Sequence, residues 1–188
     1  MRLTAPRIAP VDLDTLDDDQ REALSPFLAT GRVLNIFRTL AHAPKALTRF
    51  NQWGGYILSK RNSLSERDRE LVILRTGFNC RSGYEWTQHV PIGIRAGLTE
   101  AEVERIKAGP DADGWDERDR AMLRAADDLN RDFFVSDSNW AALSFFTDKQ
   151  KMDLVMSVGQ YTQVSMMLNS FGVQLDEGQT LDPALDAR

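Results

Sequence analysis

The chain has 188 residues, of which 42% are hydrophobic and 27% charged, with a net charge of −5 and a pI near 5.1. This length allows one domain with a substantial core, and the acidic balance argues against nucleic acid or an anionic membrane as a partner. A single cysteine excludes an internal disulfide. The N-terminus has no apolar leader and no apolar run reaches membrane-spanning length, which predicts a cytoplasmic protein.

The N-terminal third of the chain predicts an arm and three helices. Residues 1 to about 14 contain prolines and acidic residues typical of an extended arm, and a first helix is expected near Asp17 to Leu24. Asn35 is expected to cap a short helix that ends before Pro44. Pro44 suits the first turn of the next helix, which is expected to run to about Ser59.

Two consecutive helices follow, and they carry the ionisable groups of interest. Ser65-x-x-Asp68 resembles a capping box and opens a helix that is expected to end around Gly77. The next helix is expected to begin near Ser82 and to stop at Gly97, which fits a C-terminal glycine.

The rest of the chain also reads as helical. Thr99-x-x-Glu102 is a capping box for a short helix that ends at Gly109, and an apolar stripe predicts a second helix from about Asp116. Ser138 is expected to cap a third helix, which runs through Phe145. Thr147-x-x-Gln150 caps a fourth, which ends at Gly172. There is no credible strand pattern and no internal repeat. The sequence therefore predicts a single all-α domain.

Three ionisable groups on the two central helices form the candidate site. Ser82, Glu85 and His89 stand at i, i+3 and i+7, so they share one helical face. Glu70 lies one helix earlier and leans toward the core, so antiparallel packing can place it beside them. Two carboxylates and an imidazole are costly in an apolar helix pair unless they are paired, solvated or used. We therefore expect Glu70, Glu85 and His89 to converge.

Simpler interpretations and a metal site compete with catalysis. Glu85 can complement the helix N-terminus, and His89 can be a satisfied, half-buried histidine. Two glutamates and a histidine also suit a ferrous or manganese ion. However, the only other histidine, His42, lies in an unrelated helix. Acid–base use without metal or cofactor is therefore favoured.

The central block resembles a known family. Asn-Cys-Arg-Ser-Gly-Tyr-Glu-Trp-Thr-Gln-His at 79–89, with Arg-Glu-Leu-Val at 69–72 and Ala-Gly-Leu at 96–98, is similar to the carboxymuconolactone decarboxylase family, which includes the alkyl hydroperoxidase D proteins. Segments 35–44 and 159–161 extend the likeness. The resemblance implies an alkyl hydroperoxidase D-like helical bundle that assembles into dimers, trimers or hexamers. It also divides the chain into an arm with the first helix (1–30), the family domain (31–175) and a tail (176–188).

The chain departs from the peroxidase branch of that family. The resemblance places Ser82 and Glu85 at the two thiol positions of a Cys-x-x-Cys pair, while the glutamate and histidine are kept as Glu70 and His89. Dithiol peroxide reduction needs two thiols, so it is unavailable within one subunit. The resemblance then implies cofactor-free decarboxylation, isomerisation or ester or lactone hydrolysis of a carboxylated muconate or muconolactone from aromatic ring cleavage.

The expected roles follow from this chemistry. His89 is expected to shuttle the proton, and Glu70 is expected to orient the His89 ring and favour its charged form. Glu85 is expected to act as the acid if burial raises the pKa of its carboxyl group. The substrate is expected to contact Arg75 or Arg81 as a carboxylate clamp, together with Ser82, Tyr84 and Trp86. Two alternatives remain open, namely a peroxidase-like activity through Cys80 and a non-catalytic oligomeric binding module.

Overall fold

The chain is described by a computed structural model over residues 3–186, and within that range the regular structure is entirely helical. In this range a 3₁₀ turn (Leu13–Thr15) precedes ten helices: α1 (Asp18–Leu28), α2 (Asn35–Leu40), α3 (Pro44–Ile57), α4 (Glu66–Asn79), α5 (Gly83–Arg95), α6 (Glu100–Ala108), α7 (Glu117–Asp132), α8 (Asp137–Ala142), α9 (Asp148–Phe171) and α10 (Pro183–Asp186). The predicted all-α class is confirmed. Residues 1–2 of the predicted arm and 187–188 of the predicted tail lie outside the described range.

Helix α4 is the centre of the molecule. It is buried along most of its length and packs against α5, α7 and α9. Its apolar residues, among them Leu71, Val72 and Leu74, join the main hydrophobic core with residues of α7 and α9. A helix that is buried on several sides positions its polar residues rigidly, because its neighbours hold it from every direction.

The turn from α4 to α5 sets their antiparallel contact. Arg81 adopts a left-handed conformation with φ of 52°, its backbone N–H donates to Phe78 O, and that of Ser82 donates to Gly77 O. This pattern is a Schellman motif, which reverses the chain within three residues. Glycine normally occupies the position held by Arg81, so the turn is made in spite of a side chain.

A close approach between α4 and α5 brings the site together. A Cβ added at Gly93 would lie 3.0 Å from a methyl of Leu98, 3.1 Å from a methyl of Leu74 and 3.7 Å from Cβ of Glu70. Gly93 is one turn beyond His89 on α5. Its lack of a side chain lets α5 lie against α4 at the level of Glu70.

The predicted helix boundaries hold in part. The capping boxes at Thr99 and Thr147 are confirmed. Asn35 is not an N-cap, because Leu34 occupies that position and the Asn35 side chain donates to the carbonyls of Gln174 and Leu175. Nor does Ser138 cap a helix through Phe145, since the N-cap is Ser136, two positions earlier, and α8 ends at Ala142. The error at Asn35 arises because its side chain bonds to residues that lie far along the chain.

The segment after α9 returns to the helices around the candidate site. The Asp176 carboxylate accepts hydrogen bonds from the backbone N–H of Asn35 (2.8 Å), the hydroxyl of Tyr84 (2.7 Å) and the amide of Gln88 (2.6 Å). This carboxylate therefore ties the C-terminal segment to α2 and α5. Among the described helices, none has the length and apolar character needed to cross a bilayer.

Candidate active site

Glu70, Glu85 and His89 meet at the α4–α5 contact. Nδ1 of His89 lies 2.7 Å from Oε2 of Glu70, and Nε2 lies 2.9 Å from Oε1 of Glu85. All three residues are buried. The predicted convergence is confirmed, and its basis is the helical spacing of Glu85 and His89 together with the packing of α4 on α5.

The histidine ring is held as a cation. Burial alone would lower the pKa of His89, but the charge of Glu85 and the hydrogen bond to Glu70 more than offset this and raise it to about 10. Near neutral pH the ring is therefore an imidazolium between two carboxylates. Both ring nitrogens face carboxylate oxygens, so neither offers a lone pair to a metal ion.

A large cavity opens beside this triad. Its volume is about 780 Å³, and Glu85 and His89 form part of its wall, whereas Glu70 does not reach it. Most of the wall is apolar and comes from α1, α2, α3, α5 and α9: Ala23, Pro26, Phe27, Leu34, Ile36, Phe37, Phe50, Leu58, Ile92 and Val164. Within the described residues no lysine or arginine lines it. The cavity therefore suits a small, mostly apolar molecule.

Two residues of α9 add polar groups to the wall beside His89. The ring of Tyr161 stands edge-on to the His89 ring, with centroids 4.8 Å apart. Gln160 also lines the cavity, and its buried Oε1 has no hydrogen-bond partner among the described residues. Sequence reasoning did not assign either residue to the site. The segment 159–161 belongs to the family resemblance, which is the one signal that could have pointed to them.

The two arginines expected to clamp a substrate carboxylate are elsewhere. The Arg75 guanidinium donates to the carboxylate of Asp127 (2.8 Å) and to the carbonyl of Ile106 (2.7 Å), on the side of α4 that faces α6 and α7. Arg81 is exposed at the α4–α5 turn. Neither arginine lines the cavity, so the prediction that Arg75 or Arg81 binds a substrate carboxylate there is wrong.

The other expected substrate contacts are also changed. Ser82 is buried outside the cavity wall, and Trp86 packs in the main core beside Phe78. Tyr84 does line the cavity, but its hydroxyl already donates to Asp176 and accepts from the Ile36 N–H. Of these three residues only Tyr84 lines the cavity, where its ring, and not its engaged hydroxyl, is available for contact.

Cys80 lies away from the triad. It is the C-cap of α4 and half-buried, it does not line the cavity, and its Sγ is 4.0 Å from Nδ2 of Asn130. Its placement gives no support to peroxide reduction in the cavity.

Comparisons with known proteins agree on the fold. The model of the carboxymuconolactone decarboxylase family matches residues 44–128. A structure described as an alkylhydroperoxidase AhpD core, an uncharacterized peroxidase-related protein from Ralstonia eutropha JMP134, shares 24% identity with a TM-score of 0.79, covering 92% of this chain and 93% of its own. A peroxidase-related protein from Silicibacter sp. TM1040 shares 16% identity with a TM-score of 0.78, covering 93% of this chain and 95% of its own.

A third structure carries a name with an activity. It is a variant of the debrominase Bmp8 in complex with 2,3,4-tribromopyrrole, with 12% identity and a TM-score of 0.72, covering 98% of this chain and 96% of its own. No protein of curated function matches the chain. Identities this low show the fold alone. The family resemblance and the alkyl hydroperoxidase D-like fold are confirmed.

Proposed function

Because residues 44–128 match the model of the carboxymuconolactone decarboxylase family, we propose that this protein is a cofactor-free acid–base enzyme acting on a small, largely apolar carbonyl compound. The observation that carries the proposal is the pairing of His89 with both Glu70 and Glu85 at the wall of an apolar cavity. Buried ionisable groups that converge in a cavity are costly for stability, and they are a recurrent feature of proton-transfer sites.

Glu85 is the proton acceptor in this proposal. Its Oε1 is held by His89, while its Oε2 makes no hydrogen bond with described residues. The Oε2 atom takes a proton from a carbon next to the substrate carbonyl, and the electron pair moves to the carbonyl oxygen to give an enolate. Return of the same proton to another carbon of the conjugated system completes an isomerisation.

His89 serves this step as a fixed cation. An imidazolium with a pKa of about 10 gives up its proton poorly near neutral pH, so the shuttle role expected from the sequence passes to Glu85. His89 instead holds Oε1 and offsets the negative charge that develops nearby. Glu70 acts through His89, because it does not reach the cavity.

The substrate expected from the resemblance is one member of this class. A carboxylated muconolactone has a carbonyl and a ring of suitable size, and loss of carbon dioxide from it would place the same negative charge on the carbonyl oxygen. Among the described residues no arginine or lysine lines the cavity to pair with its carboxylate. We therefore propose that the lactone or enone part, rather than the carboxylate, is recognised.

The experiment is turnover of a matched substrate panel. Purified protein is incubated with carboxymuconolactone, methoxylated muconates and neutral unsaturated γ-lactones, and products are identified by NMR. We expect isomerisation or decarboxylation, with the neutral lactones bound at least as well as the carboxylated ones. No turnover of any member by folded protein would contradict the proposal.

Two variants separate chemistry from folding. Glu85→Gln keeps the shape of the side chain but removes the base, and we expect kcat to fall by about a hundredfold or more. Glu117→Gln is the matched control, because Glu117 is an exposed residue of α7 outside the cavity. Equal rates in the two variants would exclude Glu85 as the base.

A further inference from the structure

Two tyrosines line the cavity, and their hydroxyls differ in one respect. The Tyr84 hydroxyl is engaged by Asp176 and by the backbone of Ile36. The Tyr161 hydroxyl makes no hydrogen bond with any residue in the range 3–186. Tyr161 is buried as a residue, but its hydroxyl oxygen is not enclosed by protein atoms, so it is an unpaired donor that a molecule in the cavity can reach.

The position of Tyr161 is fixed by packing. Its ring contacts the His89 ring edge-on and belongs to a small apolar cluster with Ile57 of α3 and Ile73 of α4. A tyrosine held by three helices cannot turn away without opening the core. The Tyr161 ring therefore has a defined location at the cavity wall, next to the His89 ring.

The charges around Tyr161 keep its proton in place. Burial, followed by the negative charges of Glu85 and Glu70, raises its pKa well above the usual value, and the nearby cation of Arg69 opposes this only in part. The hydroxyl is therefore neutral over the whole range in which the protein is expected to work. It can donate a hydrogen bond, but it cannot serve as a base.

We propose that Tyr161 is a catalytic residue whose hydroxyl donates a hydrogen bond to the carbonyl oxygen of a neutral lactone or enone in the cavity. The inference rests on the proposed function and specifies its substrate class. When Glu85 takes the carbon-bound proton, the electron pair shifts to that carbonyl oxygen, and Tyr161 stabilises the enolate without transferring its proton. The hydrogen bond strengthens as charge develops, which is the requirement for lowering the barrier.

Infrared spectroscopy of a bound probe tests the contact without any turnover. The probe is 5-pentyl-2(5H)-furanone with ¹³C at the carbonyl, a neutral lactone with an apolar tail. We expect its carbonyl stretch to move to lower frequency when it binds to the parent protein. The shift should vanish in Tyr161→Phe and persist in Tyr56→Phe, whose side chain lies outside the cavity.

Tyr56→Phe is the control variant for this comparison. Tyr56→Phe removes a hydroxyl that donates to Asp153 outside the cavity, so it controls for loss of any tyrosine hydroxyl. A carbonyl shift that is equal in Tyr161→Phe and Tyr56→Phe would overturn the proposal. So would the absence of a shift in the parent protein at saturating probe.

Kinetics supply the second measurement. With a substrate from the panel, Tyr161→Phe should lower kcat by about a hundredfold and change KM much less, as found when one oxyanion donor is removed. A kcat within about twofold of the parent would refute the role. If the parent turns over no substrate, the proposed function fails, and the infrared shift alone then decides whether Tyr161 binds a carbonyl.

Discussion

Nδ1 of His89 lies 2.7 Å from Oε2 of Glu70, and Glu70 does not reach the cavity in which Glu85 and His89 stand. Glu70 is fully buried, and its Oε1 has no hydrogen-bond partner among the described residues. It is therefore a positioning residue, which fixes the orientation and charge of the imidazole for its neighbour. A substitution at Glu70 should therefore change the charge and orientation of His89, although Glu70 itself contacts no molecule in the cavity.

Glu70→Gln should lower activity through His89. The amide keeps the size of the side chain but removes one of the two charges that hold the imidazolium, so the pKa of His89 should fall. We expect kcat to drop about tenfold to a hundredfold and the high-pH limb of the kcat profile to move to lower pH. Glu104→Gln, on the exposed side of α6, is the control. An unchanged pH profile would contradict the role.

Stability should depend on pH through His89. Its pKa is raised in the folded state, so the folded protein retains a proton that the unfolded chain loses above about pH 6.5. The stabilisation is fully present below that pH and is lost as the pH rises toward 10. Between about pH 6.5 and pH 8.5 the free energy of unfolding should fall by about 2 kcal/mol. Urea unfolding at several pH values measures this.

His89→Gln is the matched variant for the pH experiment. Combined with Glu70→Gln and Glu85→Gln, it removes the titrating group without leaving two buried carboxylates unpaired, so the unfolding free energy should be nearly flat over the same range. A parallel slope in the two proteins would assign the pH dependence to other groups. Measurements stop below about pH 9, because ionisation of unfolded tyrosines adds to the slope above it.

Arg81→Gly should stabilise the protein. Arg81 occupies a left-handed position with φ of 52°, which glycine adopts without steric cost. The gain should be about 0.5–1 kcal/mol, measured as a higher urea midpoint. KM should stay unchanged, since Arg81 lies outside the cavity. A loss of stability would contradict the argument from backbone conformation, and a KM raised severalfold would restore the substrate role that the sequence suggested.

Asp176→Asn should loosen the cavity wall. The carboxylate accepts from Asn35, Tyr84 and Gln88, and an amide cannot accept all three hydrogen bonds. We expect a loss of about 2 kcal/mol and a higher KM. Glu177→Gln, one position later, controls for charge. Equal thermal midpoints for the two variants would show that the hydrogen bonds of Asp176 do not stabilise the protein.

We also propose that the protein is a homo-oligomer. Large apolar side chains remain exposed around α8 and the start of α9, with Phe133 at 82% and Phe134 at 64%, together with Trp140, Phe145 and Met152. Light scattering at micromolar concentration should give a multiple of 21.2 kDa. Phe133→Ser combined with Phe134→Ser should shift the mass downward. A monomeric parent would refute this prediction.

The site was predictable where its geometry is local. Glu85 and His89 share a face because of helical periodicity, and Glu70 follows from the short turn between α4 and α5. The side-chain directions of Arg75 and Tyr84 were not predictable, because Asp127 and Asp176, their partners, lie 52 and 92 positions away. Tyr161 was missed for a related reason. Its helix is buried on several sides, so no polar face singles out that position.

The hydrogen bonds of Asp176 also determine when the cavity wall can form during synthesis. The wall is held by a carboxylate that follows α9, whereas the residues it fastens, Asn35, Tyr84 and Gln88, are synthesised much earlier. On the ribosome, α1 to α8 can emerge and pack before this fastening is available. The wall of the cavity is thus fastened only after α9 and the segment that follows it have been synthesised, so a nascent chain cannot complete this wall before residue 176 is made.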